Sequence, residues 1–258
     1  MTGSSDGIGL ETARQLVAAG HRVVLHARSA GRARETVAAV PEAAGVAVGD
    51  LSTIAGARAA GENAADQGPY DAIIHNAGIG GRSARQVAAD GLEQIFAVNV
   101  LAPYVLTAVM PVPQRMVYLT SGLQAAGRVR LDDLQYERRP WDGLQAYSDS
   151  KLYDVMLAFA VARRWQRARI NAVDPGWIKT KLAGPGAPGE LPEGADTQVW
   201  LATSDEPGAA VTGAYLKRRR ELHANPAAYE TGLQEALLAA CAELSGEELS
   251  RSAMAAGR

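Results

Sequence analysis

Tyr147 and Lys151 have the types and spacing of a proton-transfer pair. They lie four positions apart in "YSDSKL", and residues i and i+4 share one face of a helix. An ammonium beside a phenol favours the phenolate, which brings proton exchange by tyrosine closer to neutral pH. The same spacing is common by chance, so an exposed helix turn explains it unless other reactive residues converge on the same place.

Small and polar residues follow two predicted strands at the end where a ligand would bind. Ser121 closes the strand at 115–122, "RMVYLTSG", and Asn76, Ala77 and Gly78 close the strand at 70–78, "YDAIIHNAG". Ligands of open parallel sheets bind beyond the carboxyl ends of the strands. These residues are therefore expected at one rim of a sheet, together with Tyr147.

A glycine-rich turn, "MTGSSDGIG", leads directly into a predicted helix at 7–19. Thr2, Gly3, Gly7 and Gly9 give T-G-x-x-x-G-x-G, in which absent Cβ atoms let the backbone approach a pyrophosphate at the helix N-terminus. On its own the pattern also fits a flexible turn. Such a turn normally follows a buried strand, so we expect the natural protein to begin several apolar residues earlier, or its start to have been assigned at an internal Met.

Alternating apolar stretches predict an α/β fold with a doubly wound parallel sheet. Predicted strands at 21–29, 45–52, 70–78, 115–122, 169–177 and 213–220 alternate with predicted helices at 7–19, 30–39, 53–66, 84–109 and 145–165. Repeated βα units place helices on both faces of a parallel sheet. A Gly- and Pro-rich loop is expected at 182–194, either as a mobile lid or as an inert surface loop. A solvated charged run is expected at 217–220 and a surface helix at 226–244. Nothing divides the chain, so residues 1–258 are expected to form one domain.

Composition excludes several classes of partner. The 258 residues carry 26 Lys and Arg against 28 Asp and Glu, a net charge of -2, which provides no positive field for nucleic acid or an anionic membrane. Cys241 is the single cysteine, and the four histidines have no metal-ligand spacing, so neither an internal disulfide nor a metal is expected. No membrane span or signal peptide is indicated. The expectation is a cytoplasmic protein with a small-molecule partner.

Seven motifs in order resemble the short-chain dehydrogenase/reductase family over residues 1 to about 216. They are T-G-x-x-x-G-I-G, D-L (Asp50-Leu51), N-A-G, N-V (Asn99-Val100), T-S-G, Y-x-x-x-K and D-P-G (Asp174-Pro175-Gly176). The long interval from Ser121 to Tyr147 further resembles the retinol-dehydrogenase-like and bacterial ketoreductase branch. The resemblance implies a single Rossmann-type sheet in the order 3-2-1-4-5-6-7. The first, central strand of that sheet is missing from this sequence.

The resemblance also implies catalytic roles. Tyr147 is the general acid/base, and Lys151 favours its phenolate and binds the nicotinamide ribose. Ser121 bonds the substrate oxygen, and Asn99 holds a water of a proton relay. The implied reaction moves a hydride between nicotinamide C4 and a carbonyl carbon while Tyr147 exchanges the proton of the oxygen.

The family motifs imply a set of cofactor contacts. The end of the predicted strand at 21–29, which is second in the family order, suggests which cofactor binds. Arg28 suits the 2′-phosphate of NADP(H), whereas a carboxylate there would bind the ribose hydroxyl of NAD. No carboxylate follows until Glu35. NADP(H) is therefore preferred and NAD(H) kept as the alternative, since Arg28 could be a solvated arginine and Asp6 stands where many NADP-using relatives are basic. The implied contacts are Thr2, Gly3, Ser5, Gly7, Ile8, Gly9, Arg28, Asp50, Leu51, Asn76, Ala77, Gly78, Tyr147, Lys151, Pro175, Gly176, Trp177, Ile178 and Thr180.

Two other functions compete with an aldehyde or ketone reductase. One is a non-catalytic nucleotide-binding or redox-sensing protein, and the other is an inactive, N-terminally truncated fragment. The intact set of Asn99, Ser121, Tyr147 and Lys151 argues against the first. The residues do not identify the substrate or the direction of the reaction. Relatives pair the helices that correspond to 99–109 and 145–165, which implies a homodimer or homotetramer.

Overall fold

Seven strands and eight α-helices occur along residues 1–250, which the computed structural model describes. The strands are β1 (Val24–Ala27), β2 (Gly45–Val48), β3 (Ala72–His75), β4 (Arg115–Leu119), β5 (Arg169–Val173), β6 (Tyr215–Lys217) and β7 (Arg220–Leu222). The helices are α1 (Gly7–Ala18), α2 (Ala30–Ala39), α3 (Ile54–Ala65), α4 (Gln94–Phe96), α5 (Ala102–Val109), α6 (Gly143–Arg164), α7 (Leu191–Thr203) and α8 (Thr231–Ser245). The predicted α/β class is confirmed. The last eight positions of the expected domain, 251–258, lie outside the described residues.

Parallel pairing aligns the ends of the central strands. β3, β4, β5 and β6 pair in parallel in that order, and β7 adds an antiparallel edge. His75 lies opposite Tyr118, and Leu119 lies opposite Val173. Because these three strands end in register, the residues that follow them reach the same rim of the sheet.

Met1 and Thr2 lie between β1 and β3, where the family order has its central strand. The Met1 nitrogen donates to Val24 O at 2.9 Å, and the Thr2 amide donates to Ile74 O at 3.0 Å. Met1 and Thr2 therefore bridge the pair β1–β2 and the sheet from β3 to β7 by backbone hydrogen bonds, with a space of about 30 Å³ beside them. The expected upstream start stays a prediction.

Helix α6 runs through the interior and positions the reactive pair. Sixteen of its 22 residues are buried, since the sheet packs on one side and α8 on the other. The 226–244 segment, expected as a surface helix, forms a short 3₁₀ turn at Pro226–Tyr229 and then α8. Leu237, Leu238 and Cys241 are buried there, because an apolar stripe with helical spacing faces α6.

Several predicted boundaries differ from the structure for local reasons. The helix predicted at 84–109 begins at Gln94, because the Glu93 side chain accepts from the amides of Ile95 and Phe96 and caps the helix there. The loop predicted at 182–194 ends earlier, since α7 starts at Leu191.

The charged run 217–220 forms a hairpin turn, and its three arginines are exposed as the sequence predicts. Arg218 and Arg219 have φ of 49° and 59°. Lys217 pairs with Asp174, and Arg219 pairs with Asp196. Within residues 1–250 we find no helix with the length and apolar composition to cross a bilayer.

Candidate active site

A cleft of about 420 Å³ opens where the central strands end and α1 begins. Fourteen of the predicted cofactor contacts line it: Gly3, Gly7, Ile8, Gly9, Arg28, Asp50, Leu51, Asn76, Ala77, Gly78, Tyr147, Lys151, Pro175 and Thr180. Thr120 of the T-S-G motif lines the cleft as well, so residues of six separate motifs meet at one site, as the parallel topology requires.

The glycine turn is built so closely that side chains cannot fit in it. A Cβ on Gly9 would lie 2.1 Å from Gly3 O, and a Cβ on Gly3 would lie 2.8 Å from Ala77 Cα. Gly3 and Gly7 also have φ of 63° and 52°, in the left-handed region that favours glycine. Asp6 caps α1 by accepting from the Gly7 amide at 2.8 Å. The result is a backbone cradle that lines the cleft at the start of a helix.

Two predicted contacts support the cradle from behind. The Thr2 hydroxyl oxygen accepts from the amides of Asn76 at 2.9 Å and Ala77 at 3.0 Å, and Asn76 Nδ2 donates to Thr2 O at 3.0 Å. Ser5 lies outside the cleft lining and donates to His26 O at 3.4 Å. Thr2 and Ser5 thus hold the turn against β3 and β1.

His26 is a site residue that the sequence motifs did not indicate. Its Nδ1 accepts from the Gly3 amide at 3.2 Å, so its Nε2 carries the proton and donates to Gly49 O at 2.9 Å. Burial lowers the pKa of His26 from 6.5 to about 4. A neutral imidazole therefore fixes the first glycine of the cradle. Nothing in the strand sequence distinguishes it from an ordinary buried position.

Acid should weaken the fold through His26. The folded protein keeps His26 neutral while the unfolded chain binds a proton, so its contribution to stability is complete above the usual pKa of 6.5 and falls as pH drops towards about 4. The free energy of unfolding should lose about 1.4 kcal/mol per pH unit in this window from this residue. Urea denaturation at several pH values checks this. His26→Asn should show a shallower slope than the parent chain, and equal slopes would contradict the assignment.

Tyr147 and Lys151 lie one turn apart near the start of α6. Asp142 caps this helix, accepting from the amides of Leu144 and Gln145 at 3.0 Å each. Lys151 Nζ lies 5.7 Å from the centre of the Tyr147 ring. Burial opposes the charge on Lys151, but nearby Asp154 and Tyr147 together outweigh it and raise the pKa of the ammonium. The cation expected beside the phenol is therefore held in its charged form.

Asn99 lies behind Gly78 in a π-helical turn, Ala97–Leu101, that joins α4 to α5. Its Oδ1 accepts from the Ile79 amide at 2.8 Å, and its Nδ2 donates to Ile79 O at 3.0 Å and to Ser150 Oγ at 2.9 Å. A Cβ on Gly78 would lie 3.5 Å from both Asn99 Oδ1 and Lys151 Nζ. Asn99 thus ties the loop after β3 to α6, and its role in a water relay stays a prediction.

A second cavity of about 550 Å³ lies on the other side of Tyr147. Ser121, Gly176 and Trp177 line this cavity rather than the first cleft. The Ser121 hydroxyl oxygen accepts from the Leu123 amide at 3.3 Å. Ile178, another predicted contact, lines neither the cleft nor the second cavity. Its side chain is buried in the core. Tyr147 and Leu182 are the residues that line both spaces.

Comparison with known proteins agrees with this geometry. The short chain dehydrogenase family model matches residues 1–190. The uncharacterized oxidoreductase AN7799 of Emericella nidulans is 40% identical over 251 residues, covering 95% of this chain and 96% of the relative. A crystal structure from Mycobacterium paratuberculosis shares 27% identity at a TM-score of 0.80, covering 96% and 93% of the two chains. A blue fluorescent protein from a metagenomic library, in complex with NADPH, shares 28% identity at a TM-score of 0.65, and the match covers 84% of this chain and 93% of the other.

Six motifs meet at one cleft, and the family model spans most of the chain. The chain therefore belongs to the short-chain dehydrogenase family and is an oxidoreductase of that type.

Proposed function

We propose that the protein is an NADP(H)-dependent reductase of aldehydes or ketones, or in reverse an alcohol dehydrogenase. The observation that carries this proposal is the position of Tyr147, which lines both the cleft bounded by the glycine cradle and the cavity that contains Ser121. A proton donor between a nucleotide site and a substrate site suits carbonyl reduction. A non-catalytic nucleotide-binding protein would need only the first of these spaces.

The cleft fits a nicotinamide dinucleotide. A pyrophosphate suits the cradle, where Cβ atoms on Gly3 and Gly9 would collide with backbone. Asp50 and Leu51 would contact the adenine, and Lys151 would bond the nicotinamide ribose. When bound, the cofactor supplies or accepts a hydride.

The protein's own groups perform the proton chemistry. Ser121 would donate a hydrogen bond to the substrate oxygen and orient it towards Tyr147. The Tyr147 phenol then gives its proton to that oxygen in reduction and takes it back in oxidation. The Lys151 ammonium stabilises the phenolate that results. The segment that carries Thr180 and Leu182 borders the cleft and is suited to exclude water.

Arg28 supports NADP(H) over NAD(H). It is exposed in the cleft lining and has no ion-pair partner among residues 1–250, whereas the neighbouring Arg32 pairs with Glu35. Asp6, the residue that argued against NADP(H), pairs with Lys181, so its negative charge is offset. The relative solved with NADPH, at 28% identity, supports the same choice.

Arg28→Ala should raise the KM for NADPH by about tenfold, since a charged hydrogen bond contributes about 1.5 to 3 kcal/mol. The KM for NADH should stay within about twofold, because NADH carries no 2′-phosphate. Steady-state kinetics with each cofactor measures both values. Arg32→Ala is the matched control and should change neither. An equal rise in KM for NADPH and NADH would mean that Arg28 does not recognise the 2′-phosphate.

The second cavity favours a bulky apolar carbonyl substrate. Leu123, Leu144, Trp177 and Leu182 line it, and Leu144 and Trp177 remain 63% and 64% exposed. Large exposed apolar side chains around one opening mark a binding surface. NADPH consumption over a panel of carbonyls tests the proposed function. Bulky aromatic ketones should exceed small aliphatic ones in kcat/KM by at least about tenfold. NADPH binding without consumption by any carbonyl would favour the non-catalytic alternative.

The expected assembly and location stay predictions. α8 packs along α6 through Arg163 Nε, which donates to Gln234 Oε1 at 2.9 Å. A second copy approaching the 145–165 helix on that side would meet α8 first. The single cysteine is the basis for a cytoplasmic location.

A further inference from the structure

Tyr147, Lys151 and Asp154 form a column along one face of α6, at positions i, i+4 and i+7. The side chains of Lys151 and Asp154 are 6% and 3% exposed, and Lys151 Nζ lies 2.7 Å from Asp154 Oδ2. A buried carboxylate thus contacts the lysine of the reactive pair from the side away from Tyr147. The family motif includes no such residue.

The lysine is anchored at two points. An ammonium has three hydrogens; one goes to Asp154 Oδ2, and one goes to Leu119 O at 3.1 Å. A Cβ on Gly78, which lines the cofactor cleft, would lie 3.5 Å from Lys151 Nζ. With two hydrogens held inside the protein, the third is available on the cleft side. Asp154 therefore fixes where this ammonium can bind a ligand.

Few titratable groups surround the pair of Lys151 and Asp154. Tyr118 on β4 faces Asp154 from the sheet, Tyr147 precedes Lys151 on α6, and Asn99 beyond Gly78 is neutral. Among residues 1–250, Lys151 is the only ion-pair partner of Asp154. Burial raises the pKa of Asp154 to about 6, although Lys151 opposes the rise. Near neutral pH the carboxylate therefore offsets part of the positive charge that acts on Tyr147.

We propose that Asp154 is a positioning residue that holds the Lys151 ammonium below the cofactor cleft and sets the pH at which Tyr147 exchanges its proton. This inference rests on the proposed function. The carboxylate balances two effects. It orients the lysine towards the cleft, and it weakens the stabilisation of the phenolate compared with an unpaired lysine.

Asp154→Asn separates these effects, because the amide oxygen still accepts from Lys151 but carries no charge. The pH profile of alcohol oxidation with NADP⁺ rises as the phenolate forms. Tyr147 still favours the charge on Lys151 in the variant, so the rise should shift to lower pH by about one unit because a charge that opposes the phenolate is removed. Asp154→Ser, whose hydroxyl also accepts a hydrogen bond, should shift it the same way and serves if the Asn variant does not fold.

Asp154→Leu removes the anchor as well as the charge. Its Kd for NADPH, measured by fluorescence titration without any substrate, should rise about five- to tenfold. Asp154→Asn should bind NADPH within about twofold of the parent protein. This comparison reports on the position of Lys151 independently of turnover.

Asp149→Asn is the matched control. Asp149 is a buried carboxylate on the same helix that accepts from Arg128 N at 2.7 Å and Tyr136 OH at 2.8 Å, away from Lys151. This variant should lower thermal stability and leave the pH profile in place. If the Asp154 variants also lose only stability, with the profile and the Kd unchanged, the proposal is wrong. If the parent protein consumes no NADPH with any carbonyl, it is the proposed function that fails.

Discussion

Tyr147→Phe is expected to lower kcat for NADPH-dependent carbonyl reduction by about 10²- to 10⁴-fold, the contribution of a positioned general acid. Phenylalanine keeps the ring that separates the two cavities and removes only the proton donor. The Kd for NADPH should therefore stay within about twofold. Steady-state kinetics and a binding titration measure the two quantities.

Tyr153→Phe provides the control for Tyr147→Phe. Tyr153 is buried on the same helix, and its hydroxyl accepts from Arg130 N at 2.9 Å, outside both cavity linings. This control should reduce stability and retain turnover. If Tyr147→Phe retains turnover, Tyr147 is not the proton donor of the reaction.

Lys151→Met is expected to damage activity and stability together. Methionine matches the length of the lysine stem but removes the charge that favours the phenolate, so kcat should fall by about 10²-fold or more. The Kd for NADPH should rise, since the cleft loses a ribose donor. Asp154 would also lose its cation, and breaking a buried pair costs about 3 to 5 kcal/mol. Kinetics, NADPH titration and urea denaturation follow the three effects.

The double variant Lys151→Met with Asp154→Asn distinguishes the two losses. Removing the orphaned carboxylate should restore much of the stability and none of the activity. Recovery of turnover in the double variant would mean that Lys151 acts only by neutralising Asp154. Unchanged stability in the single variant would contradict the buried ion pair.

Local motifs were sufficient to predict the cleft because each motif directly follows a strand or opens a helix. Strands β3 and β4 end in register, so Gly78 and Ser121 reached the same rim once the parallel topology was correct. Predicting the glycine cradle required only the rule that missing Cβ atoms allow close backbone approach. These parts depend on neighbours in sequence and on one topological rule.

The contacts that were missed depend on residues far apart in the chain. His26 bonds Gly3 across 23 positions, and no periodicity separates it from other buried strand residues. Asp154 is only three positions from Lys151, but it is faced from the sheet by Tyr118 on β4, which is far from it in sequence. The antiparallel β7 follows a turn made by two arginines with positive φ, where glycine or asparagine would have been the recognisable signal.

The division of the site into two cavities could not be predicted either. Gly176 and Trp177 were expected among the cofactor contacts, and the structure places them on the far side of Tyr147, in the cavity that Ser121 lines. That separation depends on how the segment around Leu182 packs over Gly80, where a Cβ would lie 3.2 Å from Leu182 Cγ. A sequence motif does not specify packing between segments that are this far apart in the chain.

The most direct test of the central claim is transfer of deuterium from C4-deuterated NADPH to a bulky aromatic ketone. The parent protein should produce an alcohol that carries deuterium on the former carbonyl carbon, and Tyr147→Phe should produce almost none while still binding NADPH. If the parent protein binds NADPH but no deuterium reaches the carbonyl carbon of any ketone or aldehyde in the panel, the account of this site is contradicted.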